Sequence, residues 1–192
     1  EAAAIFARLL AEKNGDTIST AANTKFTDIP AHAWYSGYVK YLANNGITYG
    51  KSKTIFAPND AITRAEFTTM AVRFFDVYGD GDAEIMEQFS GFNDVSSGYW
   101  AAEYIKYAAL HGWINGYGDG SFHADREINR AEVVTIVNRL LGREADEDYI
   151  ADNLRKLNTF PDVSRKHWAY YAVMEAANAH TAVLGENESW SK

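Results

Sequence analysis

Two arginines stand where helix electrostatics disfavours a cation. Residues 62–66 read ITRAE and residues 128–132 read INRAE, and each stretch opens an apolar-periodic segment that predicts a helix. Thr63 and Asn129 are natural N-caps, and Glu66 and Glu132 follow three positions later, which completes a capping box in each case. Those four residues therefore have a structural explanation. Arg64 and Arg130 do not: at the first helical position they oppose the macrodipole, at roughly 0.3 kcal/mol or more. A helix start with free amides favours anions. A guanidinium beside it would sharpen that preference toward carboxylate or phosphate. The alternative is a structural ion pair with Asp28, Asp94 or Asp162, and the residues alone leave both readings open.

Trp34, Trp100 and Trp168 raise a parallel question. They fall at one place in a recurring pattern. A recurring tryptophan is either core or a half-exposed indole on which a sugar ring stacks, and tryptophan is seldom fully buried.

Other chemistry is thin. His32, His111, His123, His167 and His180 show no metal-ligand spacing, and neither a zinc-protease, a nucleophile-elbow nor a phosphate-loop motif occurs. Asp76, Asp80, Gly81, Asp82, Glu84 and Glu87 trace a faint calcium loop, but Tyr78 fills a position that wants an acid; an acidic linker explains them better. No spacing singles out a pair of carboxylates for glycoside hydrolysis. Neither an enzyme nor a cofactor is expected.

The elements that must position these residues come from an internal repeat. Shifted by 66 residues, the sequence matches itself without a gap from Phe26 to Phe75. Phe26, Asp28, Trp34, Tyr38, Gly46, Gly50, Phe56 and Arg73 meet Phe92, Asp94, Trp100, Tyr104, Gly112, Gly116, Phe122 and Arg139. A third start appears at Phe160, with Asp162, Val163 and Trp168, and Glu1 and Arg8 align with Glu66 and Arg73. The chain thus reads as a back half (1–25), two full units (26–91 and 92–159) and a front half (160–192), expected to form one domain. After each motif glutamate, apolar residues recur at helical spacing: Ile5, Phe6, Leu9 and Leu10; then Phe67, Met70, Ala71 and Phe74; then Val133, Ile136, Val137 and Leu140. A shorter helix is predicted near each tryptophan, with apolar faces Trp34–Tyr38–Val39–Leu42, Trp100–Tyr104–Ile105–Ala108 and Trp168–Ala172–Val173–Ala176. Strand signals are weak. The expected class is all-α: a pseudo-threefold bundle of helix–loop–helix repeats. Residues 76–91 read as a linker with a short helix, 143–158 as a polar helix, and the tail after Leu184, apart from Trp190, as polar surface.

With 192 residues the chain can bury a core. It has no cysteine, so disulfides and thiolate sites are excluded. The net charge of −8 argues against general nucleic-acid binding. No apolar run is long enough to span a membrane, and residues 1–10 lack the basic start of a signal peptide.

The order F-x-D-V, W-A, G-x-x-x-G-Y-x-D-G-x-F and I-x-R-A-E, carried here by Phe92–Val95, Trp100-Ala101, Gly112–Phe122 and Ile128–Glu132, resembles the S-layer homology domain. The resemblance covers nearly the whole chain in three units. It implies non-covalent anchoring of a surface protein to the bacterial cell wall, through an anionic secondary cell-wall polysaccharide that often carries a pyruvyl ketal, or through modified peptidoglycan. A protein–protein assembly module of a surface layer is the alternative. By resemblance, a groove joins the arginine of one unit to the tryptophan of the next, pairing Arg64 with Trp100 and Arg130 with Trp168. Asp94, Asp162, Gly116 and Asp119 complete the expected binding set. Trp34 is expected to be impaired, because its arginine would precede Glu1. The first loop, GKSKTIF at 50–56, departs from GYGDGSF at 116–122: it lacks Tyr117 and Asp119 and gains Lys51 and Lys53. The two grooves need not bind equally. His180 replaces an expected glycine, and residues 1–13 are expected to supply the back half that the last unit lacks. The oligomeric state is left open.

Overall fold

The computed structural model describes residues 1–19, 21–79, 89–183 and 189–191. They form two compact units, one of residues 1–111 and 116–127, the other of residues 112–115 and 128–192. The regular secondary structure of the described residues is almost entirely helical, the class expected.

The first unit holds α1 (Ala2–Asn14), α2 (Ser36–Asn44), α3 (Arg64–Tyr78) and α4 (Ala102–Leu110). α3 is its axis. Its small and apolar residues bury almost every side, including Ala65, Phe67, Ala71, Val72 and Phe74. Phe67 and Phe74 lie seven residues apart, hence on one helical face. The Phe6 ring of α1 fits against both, with centroids at 5.3 and 5.0 Å. The capping box forms as the sequence predicts: Thr63 Oγ1 accepts from the Glu66 amide at 3.2 Å and Glu66 Oε2 from the Thr63 amide at 3.0 Å. Asn129 and Glu132 repeat it at 2.9 and 3.0 Å. Alanine at Thr63 or Asn129 should each cost about 1 kcal/mol in chemical denaturation.

The helices pair across the sequence repeat rather than within it. α1 packs on α2 and α3 on α4, so a back-half helix meets the front helix of the next repeat. Contacts run in the same order along both partners, which makes each pair parallel: Arg73 reaches the Tyr104 hydroxyl and Phe75 faces His111. Arg8 meets Tyr38 and Asn14 meets Tyr41 in the other pair.

The loops between front and back helices share one construction. Asp28 accepts hydrogen bonds from the amides of Phe56 and Ala57, at 2.9 and 2.6 Å. Asp94 accepts from Phe122 and His123, both at 2.7 Å. These bonds hold Ala57 and His123 at φ 59° and 55°, a left-handed conformation that a side chain disfavours. A Cβ on Gly50 or Gly116 would come within 2.5 Å of the Phe26 or Phe92 ring, so only glycine lets that ring close the loop. Burial pushes both aspartates up, but the amide bonds outweigh it and hold both carboxyls below the ordinary 3.8. A depressed folded-state pKa contributes stability above the unfolded value and loses it as pH falls through the folded one. Melting temperature should therefore fall from about pH 4 downward, and the Asp94→Asn variant should show a shallower loss.

The second unit holds α5 (Arg130–Leu140), α6 (Glu147–Asn153), a 3-10 turn at Leu154–Lys156, α7 (Tyr170–Ala177) and an antiparallel pair, β1 (Thr181–Val183) with β2 (Ser189–Ser191). α5 packs on α7 in the pairing seen in the first unit. The polar helix expected over 143–158 is present but shorter. In the tail, Trp190, which stands apart from its polar neighbours in the sequence, is buried with Ile150, Tyr170 and Met174, and its amide donates to Asp146, which also caps α6. One expectation is corrected. In α7, Tyr170, Met174 and Glu175 are buried while Ala176 is exposed, because the cluster with Ile150 and Trp190 covers the side the periodicity leaves outward.

Candidate functional site

Arg64 is where the structure departs furthest from the sequence reading. Its residue is only 5% exposed. Its Nε donates to the Phe122 carbonyl at 2.9 Å, and its guanidinium lies over the Phe122 and Tyr117 rings, 4.5 and 5.2 Å from their centroids. The helix start is occupied too: the Arg64 amide donates to Arg126 O and the Ala65 amide to Ala124 O, both at 2.9 Å. The first turn of α3, expected to be an open anion site, instead clamps residues 122–126 of the following loop. Asp28 and Asp94, two of the three expected carboxylates, accept hydrogen bonds from loop amides.

Arg130 has the same motif and a different fate. It is exposed, because no described segment after Phe160 reproduces the 116–122 loop on which such a guanidinium could lie. Asp162 is exposed too. Gly116 and Asp119 belong to the loop's construction. Asp119 accepts from the Ser121 amide and hydroxyl at 2.9 and 2.6 Å, bonds that hold its carboxyl below the usual value, and its carbonyl accepts from Asn93. Ser121 Oγ also lies 3.0 Å from His123 Nε2, and His123 Nδ1 is 3.8 Å from Asp94. The order resembles an acyl-transfer triad, but Ser121 is buried and its hydroxyl proton goes to Asp119. The cluster closes a turn.

All three repeat tryptophans are open. Trp34, Trp100 and Trp168 are 57%, 56% and 63% exposed. Each precedes its short helix by two residues and so leaves the apolar face on which the periodicity places it.

Trp100 walls a pocket of about 370 Å³ in the first unit. Glu66, Thr69, Met70 and Arg73 of α3 form one side, and Tyr49, Lys51 and Phe56 of the first loop another. Arg64 is absent from the lining; the cations here are Lys51 and Arg73. The Arg73 guanidinium lies 4.6 Å from the Tyr49 ring and 4.9 Å from the Tyr104 ring, and donates to the Tyr104 hydroxyl at 3.2 Å. The Lys51 ammonium meets Glu66, whose other oxygen holds the cap amide. Burial pushes the Glu66 carboxyl up, but Lys51 and the Thr63 amide bring it below its ordinary value, so it stays charged. An exposed indole and a 55%-exposed Tyr49 offer flat faces to a sugar ring, and two cations beside them offer partners for an acidic substituent.

Beside Trp34 the Arg73–Tyr104 bond recurs, with Arg8 donating to Tyr38 at 3.2 Å. At Trp168 the tyrosine position is Ala172. The arginine series Arg8–Arg73–Arg139 was visible in the repeat alignment. What identifies Arg73 as a pocket residue is the parallel helix pairing, which the alignment does not contain. Among the calcium candidates, Asp80, Asp82 and Glu87 lie outside the described residues; among the described ones, Asp76 included, no cluster of three or more metal ligands occurs. No described helix is long and apolar enough to cross a membrane.

Comparison with known proteins places these observations. The S-layer homology domain profile matches residues 25–68 and 91–134. The chain is 31% identical to cell surface glycoprotein 1 of Acetivibrio thermocellus over 98% of its own length and 8% of that protein's. It is 31% identical to the cellulosome-anchoring protein of the same organism over 97% of its length and 40% of that protein's. It is 32% identical to the surface-layer 125 kDa protein of Lysinibacillus sphaericus over 73% of its length and 11% of that protein's. The chain therefore spans well under half of each of these relatives. With its two matched segments built on the same loop, cap and helix pairing, the chain belongs to the S-layer homology family.

Proposed function

We propose that this chain anchors a bacterial surface protein to the cell wall by binding an anionic secondary cell-wall polysaccharide, with a pyruvyl ketal as the acidic group, and that its two units serve as one wall-binding module. The family's domain is a non-catalytic anchoring module, and the setting is the cell surface. The observation that carries the ligand class is the Trp100 pocket, where stacking faces and cations meet in one cavity. Arg130, Trp34 and Trp168, all exposed, are offered as further polymer contacts, and Asp94, Gly116 and Asp119 act by shaping the loop.

Pull-down with purified wall sacculi tests this. The chain should sediment with sacculi and lose binding once acid extraction removes the polymer. Binding that survives extraction points to peptidoglycan. Partner or self-association without sacculi points to an assembly module.

A further inference from the structure

We propose that Lys51 fixes the charge preference of the Trp100 pocket, making it a site for a sugar ring that bears a carboxylate. This rests on reading the pocket as a wall-polymer site and goes one residue further than that reading.

Lys51 and Tyr117 occupy the same loop position, directly after Gly50 and Gly116. Their backbones do the same work: each amide donates at 2.8 Å to the carbonyl four residues on, Ile55 or Ser121. The side chains do not. Tyr117 serves the fold, lying beside the Arg64 guanidinium and accepting from Arg126. The Lys51 side chain is 41% exposed and lines the pocket, with Glu66 as its partner. Loop closure therefore leaves the side chain at this position free to vary, and here it carries a positive charge into the cavity.

That charge matters because of its neighbours. The lining also carries Glu1, Asp60 and Glu66, so the pocket is not a uniformly positive field. Arg73 is spread over two tyrosine rings and bonded to a hydroxyl. Without Lys51, Arg73 alone would face three carboxylates, and an acidic sugar would be repelled. With it, the charge of Glu66 is paired in place and an ammonium stands at the rim, able to share its protons with a second carboxylate.

The test is calorimetric titration of the chain with two probes: a methyl glycoside of an N-acetylhexosamine carrying a pyruvyl ketal, and the methyl ester of that same compound. The unaltered chain should prefer the acid by roughly tenfold, the scale of one charge-assisted hydrogen bond. Lys51→Tyr, which installs the residue of the second loop, and Lys51→Met should both bring the ratio close to one. The backbone bonds of the loop remain, so the melting temperature should fall by no more than the loss of one half-exposed ion pair with Glu66 explains. A variant that keeps the tenfold preference overturns the assignment of Lys51, as does equal binding of acid and ester by the unaltered chain; in both cases the wall-binding reading survives. If the unaltered chain binds neither probe nor sacculi, that underlying reading falls as well.

Discussion

Replacing Arg64 by alanine is expected to destabilise the first unit by about 3 kcal/mol. The change removes a buried guanidinium, leaves the Phe122 carbonyl without its donor and opens a void between the Phe122 and Tyr117 rings. Lysine should recover little, because one ammonium cannot lie flat on two rings and still supply a directed N–H to that carbonyl. Arg130 provides the internal control. It sits in the same motif with the same capping box, yet it is exposed, and alanine there should change stability by less than about 0.5 kcal/mol. Urea denaturation of the two variants side by side checks this. Equal costs would show that the exposure difference between the two arginines has no energetic meaning.

The second large effect is on binding. Trp100→Ala should lower affinity for wall polymer by about 30-fold, or 2 kcal/mol, as the loss of a central aromatic anchor does. It should leave the melting temperature nearly unchanged, because more than half of the residue already faces solvent. Trp168→Ala, where Ala172 has replaced the supporting tyrosine, should cost less. Sacculi binding isotherms alongside thermal melts separate the two quantities. A large fall in stability for Trp100→Ala would assign the indole to the core and remove it from the site.

What could be read in the chain and what could not divides by the range of the interaction. Thr63–Glu66 and Asn129–Glu132 are legible because a capping box closes within four residues. The buried stripe of α3 is legible because 3.6-residue periodicity is local. Arg64 is legible as an anomaly but not in its role, since the carbonyl that holds it is 58 residues away. The tryptophans mislead by spacing: Trp100 lies four residues before Tyr104, a helical interval, yet the helix starts at Ala102. Trp190 is a lone aromatic in a polar tail, and nothing local announces that Ile150 and Tyr170 wait for it. Lys51 was visible as a departure from the second loop. Its meaning depends on a pocket assembled from α3, the first loop and the segment before α4.

The same pattern explains how one repeat yields two different loops. Loop 116–122 receives a guanidinium from α3 and answers with two aromatic rings. Loop 50–56 presents a lysine at the matching position and keeps an open cavity beside it. The scaffold of aspartate, glycine and phenylalanine is common to both, so the loop can exchange a latch for a binding pocket by changing side chains that the scaffold does not use.

The most direct test of the central claim is the indole N–H resonance of Trp100, assigned through Trp100→Phe, during titration with the pyruvylated methyl glycoside. The account predicts a saturable shift of that resonance, tracking the binding isotherm and absent with a sugar that lacks the ketal. Saturable binding of the glycoside with the Trp100 resonance unmoved would contradict it.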